Sequence, residues 1–100
     1  MNVAGKWNVT MDTPVGTMKF TWDLANESGE WRGKMLGQAP VGDSDLRSIR
    51  VEGNMLSCET TTRSPMGPLE LAFEGAVSAD SMTGTCKTKF GGYQFSATRA

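Results

Sequence analysis

Few side chains in this sequence could do chemistry, and one type is missing altogether: there is no histidine among its 100 residues. That removes the commonest general base at neutral pH and the commonest catalytic metal ligand. No Ser-His or Cys-His nucleophile can be assembled. Cys58 and Cys86 are the only cysteines, too few for a metal cluster or a disulfide scaffold, and they read as small buried residues. No Gly-rich phosphate loop of a recognised pattern occurs. Neither a metal nor a cofactor is therefore expected. What is left is Tyr93, whose hydroxyl could donate a hydrogen bond to a carbonyl, and Arg99, whose guanidinium could stabilise an enolate. Together they would suit a cofactor-independent cyclase, isomerase or dehydratase. The structural alternative makes Tyr93 a core aromatic with its hydroxyl at a rim.

These groups matter only if the backbone turns them inward, and the periodicity says how. Apolar residues recur at every second position, interrupted by Gly, Pro, Asn, Asp and Ser, as in short strands joined by turns. In the first segment Trp7, Val9 and Met11 alternate with Lys6, Asn8, Thr10 and Asp12. A turn at Thr13-Pro14-Val15-Gly16 leads to Met18, Phe20, Trp22 and Leu24 on one face. After Glu27-Ser28-Gly29 a third strand carries Trp31, Gly33 and Met35 inward. Gly37 to Asp45 is the longest loop and could act as a lid. A fourth strand near Leu46 to Val51 has Leu46 and Ile49 on opposite faces unless a bulge intervenes.

Gly53-Asn54 turns into a fifth strand with Leu56, Cys58, Thr60 and Thr62 on one side, and Ser64-Pro65-Met66-Gly67 into a sixth with Leu69, Leu71 and Phe73. The seventh sets Met82, Gly84, Cys86, Thr88 and Phe90 against Thr83, Thr85, Lys87 and Lys89. Gly91-Gly92 carries a two-residue hairpin signature. The eighth strand puts Tyr93, Phe95, Ala97 and Arg99 on the inner phase. Asp12, Asp23, Glu59, Glu70 and Glu74 fall outward, so no paired carboxylates are expected inside.

An offset of 51 residues places Pro14 on Pro65, Gly16 on Gly67, and Met18, Phe20 and Trp22 on Leu69, Leu71 and Phe73. The chain thus reads as one domain, residues 1–100, built of two similar four-strand halves near 1–50 and 51–100. An open sheet of these strands would expose two edges and an apolar face with no helix to cover it. Closure removes both problems. The expected fold is all-β, a single antiparallel eight-stranded up-and-down barrel, whose interior is just wide enough to be filled by side chains or to hold one small ligand. Inner Gly33, Gly84, Thr60 and Ala97 would leave space beside the aromatics. Seven methionines suit an irregular core or an adaptable binding surface.

Ten Lys plus Arg against eleven Asp plus Glu leave a formal charge of -1, no surplus to attract nucleic acid or anionic lipid. No run approaches the roughly 20 apolar residues of a membrane helix, and the start, MNVAGKWNVT, has no leader, so no membrane insertion and a cytoplasmic setting are expected. Val15 and Met66, at turn tips, suit a portal or a homodimer contact.

Gly5-Lys6-Trp7 on the first strand, with Arg99 near the end of the last, resembles the hallmark of the calycin superfamily, which includes lipocalins and fatty-acid-binding proteins, here in a compact bacterial form. The resemblance implies that the Trp7 indole packs against Arg99 and seals one end of a lipocalin-like barrel. Otherwise Arg99 faces the cavity and pairs with a ligand carboxylate. The inward aromatic and methionine-rich list points to binding of a small apolar or amphipathic molecule. Its expected lining is Trp7, Met18, Phe20, Trp22, Trp31, Met35, Cys58, Leu71, Phe73, Cys86, Tyr93, Phe95 and Arg99. A cofactor-independent enzyme using the same cavity and a filled structural or oligomerising barrel are the alternatives.

Overall fold

Alternating apolar and polar side chains give an antiparallel sheet one dry face and one wet face. In the computed structural model, which describes residues 3–14, 16–37, 42–64 and 67–100, the dry face is curled inward until the first strand meets the last. The strands are β1 (Gly5–Thr13), β2 (Gly16–Glu27), β3 (Glu30–Gly37), β4 (Ser44–Glu52), β5 (Met55–Ser64), β6 (Gly67–Ser78), β7 (Ser81–Thr88) and β8 (Gly91–Arg99). Each pairs antiparallel with its sequence neighbours, and β8 returns to β1, closing an all-β up-and-down barrel. The middle of the expected lid, residues 38–41, and the tips Val15 and Met66 lie outside the described residues.

Register carries the inward phase around the wall. Trp7 lies opposite Trp22 on β2 and opposite Arg99 on β8, and Trp22 lies opposite Met35 on β3. In the second half Cys58, Phe73, Cys86 and Tyr93 form one continuous inward row. The bounds of β2 and β6, and of β3 and β7, are 51 residues apart, whereas β4 and β8 are offset by only 47. The connection between β3 and β4 is longer than that between β7 and β8, which accounts for the difference.

A bulge settles the fourth strand. Its register shifts between Arg47 and Arg50, and Ser48 sits there with φ 54, so Leu46, Ile49 and Val51 all pack with the core. Two expectations need correction. The β7–β8 turn is Lys89-Phe90 rather than Gly91-Gly92, since Thr88 pairs with Gly91 and Lys87 with Gly92. The Thr88 hydroxyl accepts from the Phe90 amide at 3.0 Å and donates to the Gly91 carbonyl at 3.0 Å, which closes the turn two residues early. Phe90 is consequently at the tip and 55% exposed rather than inward.

The second correction concerns the room beside the aromatics. A Cβ at Gly33 would lie 2.9 Å from Leu24, 3.1 Å from Leu46 and 3.2 Å from Ile49, so those three side chains already fill its place. Phe95 does the same over Gly75, 2.9 Å from a Cβ built there. At Gly84 a Cβ would run into the Glu74 carbonyl, so the absence of a side chain lets β6 and β7 approach closely rather than opening a hole.

Candidate binding site

The end of the barrel holding the chain termini is sealed by a latch built from three local features. Gly5 has φ 120, a conformation that favours glycine, and a Cβ there would crowd the Arg99 guanidinium at 3.2 Å. The fully buried Trp7 donates its indole N–H to the Val3 carbonyl at 3.0 Å. Arg99 lies over the Trp7 ring at 4.4 Å, donates to the Ala4 carbonyl at 2.9 Å and pairs with Asp80 at 3.1 Å. The Arg99 partners Ala4 and Asp80 lie on the N-terminal segment and the β6–β7 turn.

Tyr93 and Arg99 are not brought together. Both face the inner phase of β8, but six residues of strand separate them by about 20 Å. Tyr93 is half-buried at the opposite end, its hydroxyl donating to the Phe90 carbonyl at 3.4 Å. One reacting atom cannot touch both. Cys58 and Cys86 flank Phe73 across β6, about 10 Å apart by strand spacing and beyond disulfide reach. Burial pushes both thiols from the ordinary 9.0 up to about 12, so they are protonated and unreactive at neutral pH. The polar interior at the loop end is spoken for: the Thr60 hydroxyl contacts Ser44 Oγ at 2.7 Å and donates to the Asp45 carbonyl at 2.8 Å, and Thr62 donates to the Gly42 carbonyl at 2.8 Å.

Most of the remaining sequence-named residues pack as one body. Trp22, Phe73 and Phe95 form a ring cluster with centroids 4.9, 5.8 and 5.3 Å apart, two of the three contacts edge-on, surrounded by Phe20, Met35, Leu71, Cys58 and Cys86. Met18 is only partly covered. The Trp22 indole nitrogen differs from everything near it: among the described residues it is the one buried side-chain polar atom without a hydrogen-bond partner. The inward phase identified Trp22 as lining, but nothing in the sequence reveals that its N–H is unpaired. Gly75 and Val77, absent from the expected lining, were available from the alternation of β6.

The wall itself has a weak seam. β3 and β4 pair over three positions, Gly33 with Leu46, Lys34 with Asp45 and Met35 with Ser44, and then part. Continued by one rung, the register would set Arg32 against Arg47, and like charges opposite one another disfavour pairing. Arg32 turns instead to Glu27 and Glu30, at 3.6 and 3.9 Å. Arg47 donates to Thr61 at 3.0 Å. At the Ser48 bulge the register of β4 against β5 then shifts, which bends and twists the strand locally. A depression of about 570 Å³ lies here, lined mostly by outward charged side chains, Asp23, Glu27, Arg32, Lys34 and Asp45, together with inward-phase Trp31, Gly33 and Leu46. Trp31, Ile49 and Val51 are left half-buried beside it. A further depression of about 810 Å³, across β4 to β7, is bordered by outward Arg50, Ser57, Glu74 and Thr85 and reaches inward-phase Cys58, Phe73, Gly75 and Gly84, where the β5–β6 and β6–β7 ladders are continuous.

Fold and site together define a closed eight-stranded antiparallel β-barrel with an apolar interior. A solved structure of a redesigned β-barrel is similar to it, with a TM-score of 0.73 and 14% identity over 98% of this chain and 90% of that one. At that identity the likeness shows the fold alone. Neither a protein-family model nor a curated protein matches the chain.

Proposed function

We propose that the barrel binds one small apolar or amphipathic molecule, which enters through the slot between β3 and β4. The observation that carries this is the seam: β3 and β4 pair over only three positions, and inward-phase Trp31, Gly33 and Leu46 border the depression beside it. Leu46 and Ile49, folded over Gly33, close the slot from within and act as its gate. Unbranched Met11, Met35 and Met82 in the core change shape at low energetic cost and make room for the guest. The Gly5, Trp7 and Arg99 latch supports a calycin-like assignment, and two free thiols fit a reducing cytoplasm.

Titration with the apolar dye Nile red tests the proposal, with a saturable rise in emission at one equivalent as the expected result. A linear response overturns it. A second reading, a barrel filled by its own side chains, is favoured by the packing over Gly33 and Gly75; that linear response is what it expects.

A further inference from the structure

We infer that the Trp22 indole N–H is the recognition donor of the interior, and that the ligand is an uncharged apolar compound carrying one hydrogen-bond acceptor such as a ketone carbonyl. The inference rests on the proposed binding function and supplies the ligand's chemistry. Trp22 is fully buried and its Nε1 has no hydrogen-bond partner, whereas the other described interior donors are used: Trp7 on Val3, Thr60 on Asp45, Thr62 on Gly42. A buried donor without a protein partner calls for an explanation, and a bound acceptor supplies one. The Phe73 ring, T-shaped to the indole with centroids 4.9 Å apart, would be at most a weak acceptor beside a carbonyl.

Position and charge narrow the occupant. Trp22 pairs with Met35 on β3, which is the next inward residue after Gly33 at the head of the slot, so a guest entering there meets Trp22 after one layer of side chains. Those around it, Met35, Phe73 and Phe95, are apolar. No Asp, Glu, Lys or Arg is among the buried described residues, and Arg99 is turned to Ala4 and Asp80. A carboxylate would therefore enter without a counter-charge, which is strongly unfavourable. A neutral acceptor satisfies the indole with no such penalty.

Three probes of matched length separate the alternatives: heptyl methyl ketone, nonane and nonanoate, each titrated into the intact protein while the three indole N–H resonances are followed by NMR. The expected result is that the ketone binds about tenfold more tightly than nonane, the ratio set by one hydrogen bond to an otherwise unmet donor. Nonanoate should bind most weakly, and the Trp22 resonance should move furthest with the ketone. In Trp22→Phe the ketone's advantage over nonane should vanish. If that variant does not fold, the resonance shift in the wild-type protein decides alone. Equal affinity for ketone and nonane, or a ketone that leaves the Trp22 resonance in place, overturns the inference while binding itself stands. Nonanoate binding as tightly as the ketone overturns the neutral head group. Failure of all three probes to bind overturns the binding proposal together with it.

Discussion

The seam that closes the barrel and the seam with the shortest ladder are built from the same antiparallel geometry and differ in what stands beside the rungs. Between β1 and β8 the register runs from Trp7 opposite Arg99 to Met11 opposite Phe95, and its outer rung is finished by a cation on an indole, with the Ala100 amide donating to the Lys6 carbonyl at 2.9 Å. Between β3 and β4 the ladder stops where two arginines would meet. A cation facing an indole at one last rung, and a cation that would face a cation at the other, thus separate the two seams. Closure of a barrel needs every strand paired, but it does not need every rung.

The largest expected effect breaks the latch. Trp7→Ala removes a fully buried indole at the closing seam, and large-to-small core changes of this kind cost about 3 to 5 kcal/mol. Urea unfolding should show that loss, and a change below about 1 kcal/mol would mean that the seam holds without its latch. The next sharpens the slot. Arg32→Cys with Arg47→Cys should form a bridge across the parting strands, closing a loop of about 15 residues for a stabilisation of up to about 3 kcal/mol when the geometry is unstrained. Oxidised protein should take up Nile red much more slowly than the same protein after reduction. Unchanged uptake would show that the guest enters elsewhere.

A pH test concerns the row Cys58, Phe73, Cys86, the part of the wall farthest in kind from either seam. Both thiols titrate near 12 in the folded protein and near 9.0 when exposed. Above the exposed value the unfolded chain has released protons that the folded one still holds, so stability is full below pH 9 and falls as pH rises toward 12. Urea midpoints at about pH 8 and about pH 10.5 should differ in that direction. Replacing both cysteines with alanine should flatten the slope, and a slope that survives would assign it to other groups.

Arg99→Ala should be milder than Trp7→Ala. It deletes a cation over an aromatic ring and a hydrogen bond to Ala4, while its partner Asp80 is largely exposed and that ion pair is screened by water. A loss of about 1 to 2 kcal/mol is expected from the ring contact and the hydrogen bond. Asp80→Ala should cost less than about 1 kcal/mol, because it touches the exposed pair alone.

The strands were legible because alternation is a local signal, and the inward face of β1, β2, β5 and β6 follows from it residue by residue. The latch was legible through Gly5, Trp7 and Arg99, and the structure gives each a physical duty. What the alternation could not carry was anything decided by backbone geometry between strands. Phe90 keeps the inward parity of β7, yet the Thr88 hydroxyl closes the turn before the strand reaches it. Gly33 and Gly84 look like gaps in a one-dimensional list, and become packing surfaces once Leu46, Ile49 and the Glu74 carbonyl lie across them. The unpaired indole of Trp22 was the least legible feature, because a missing partner is a property of the whole interior. The slot stands between these cases: Arg32 and Arg47 are plain in the sequence, but their opposition appears only when the β3–β4 register is known.

The smallest expected effect lies at Ser48, where sequence and geometry meet. Omit this one residue and the strand reads Leu46-Arg47-Ile49-Arg50-Val51, strict alternation, which identifies Ser48 as the inserted bulge position. It occupies a left-handed conformation, φ 54, that an L-residue adopts at a cost of about 1 to 2 kcal/mol, while glycine there loses about 0.5 to 1 kcal/mol of unfolded-state entropy. Ser48→Gly should therefore stabilise the barrel by about 0.5 kcal/mol and leave dye uptake unchanged, since the bulge is kept. Deleting Ser48 should do something different in kind. A straight β4 would follow β3 further, drawing Arg47 toward Arg32 and narrowing the slot, so uptake should slow as it does in the oxidised bridge. If the deletion binds dye at the wild-type rate, the bulge is not what holds the two strands apart, and the repulsion between the arginines is left as the cause.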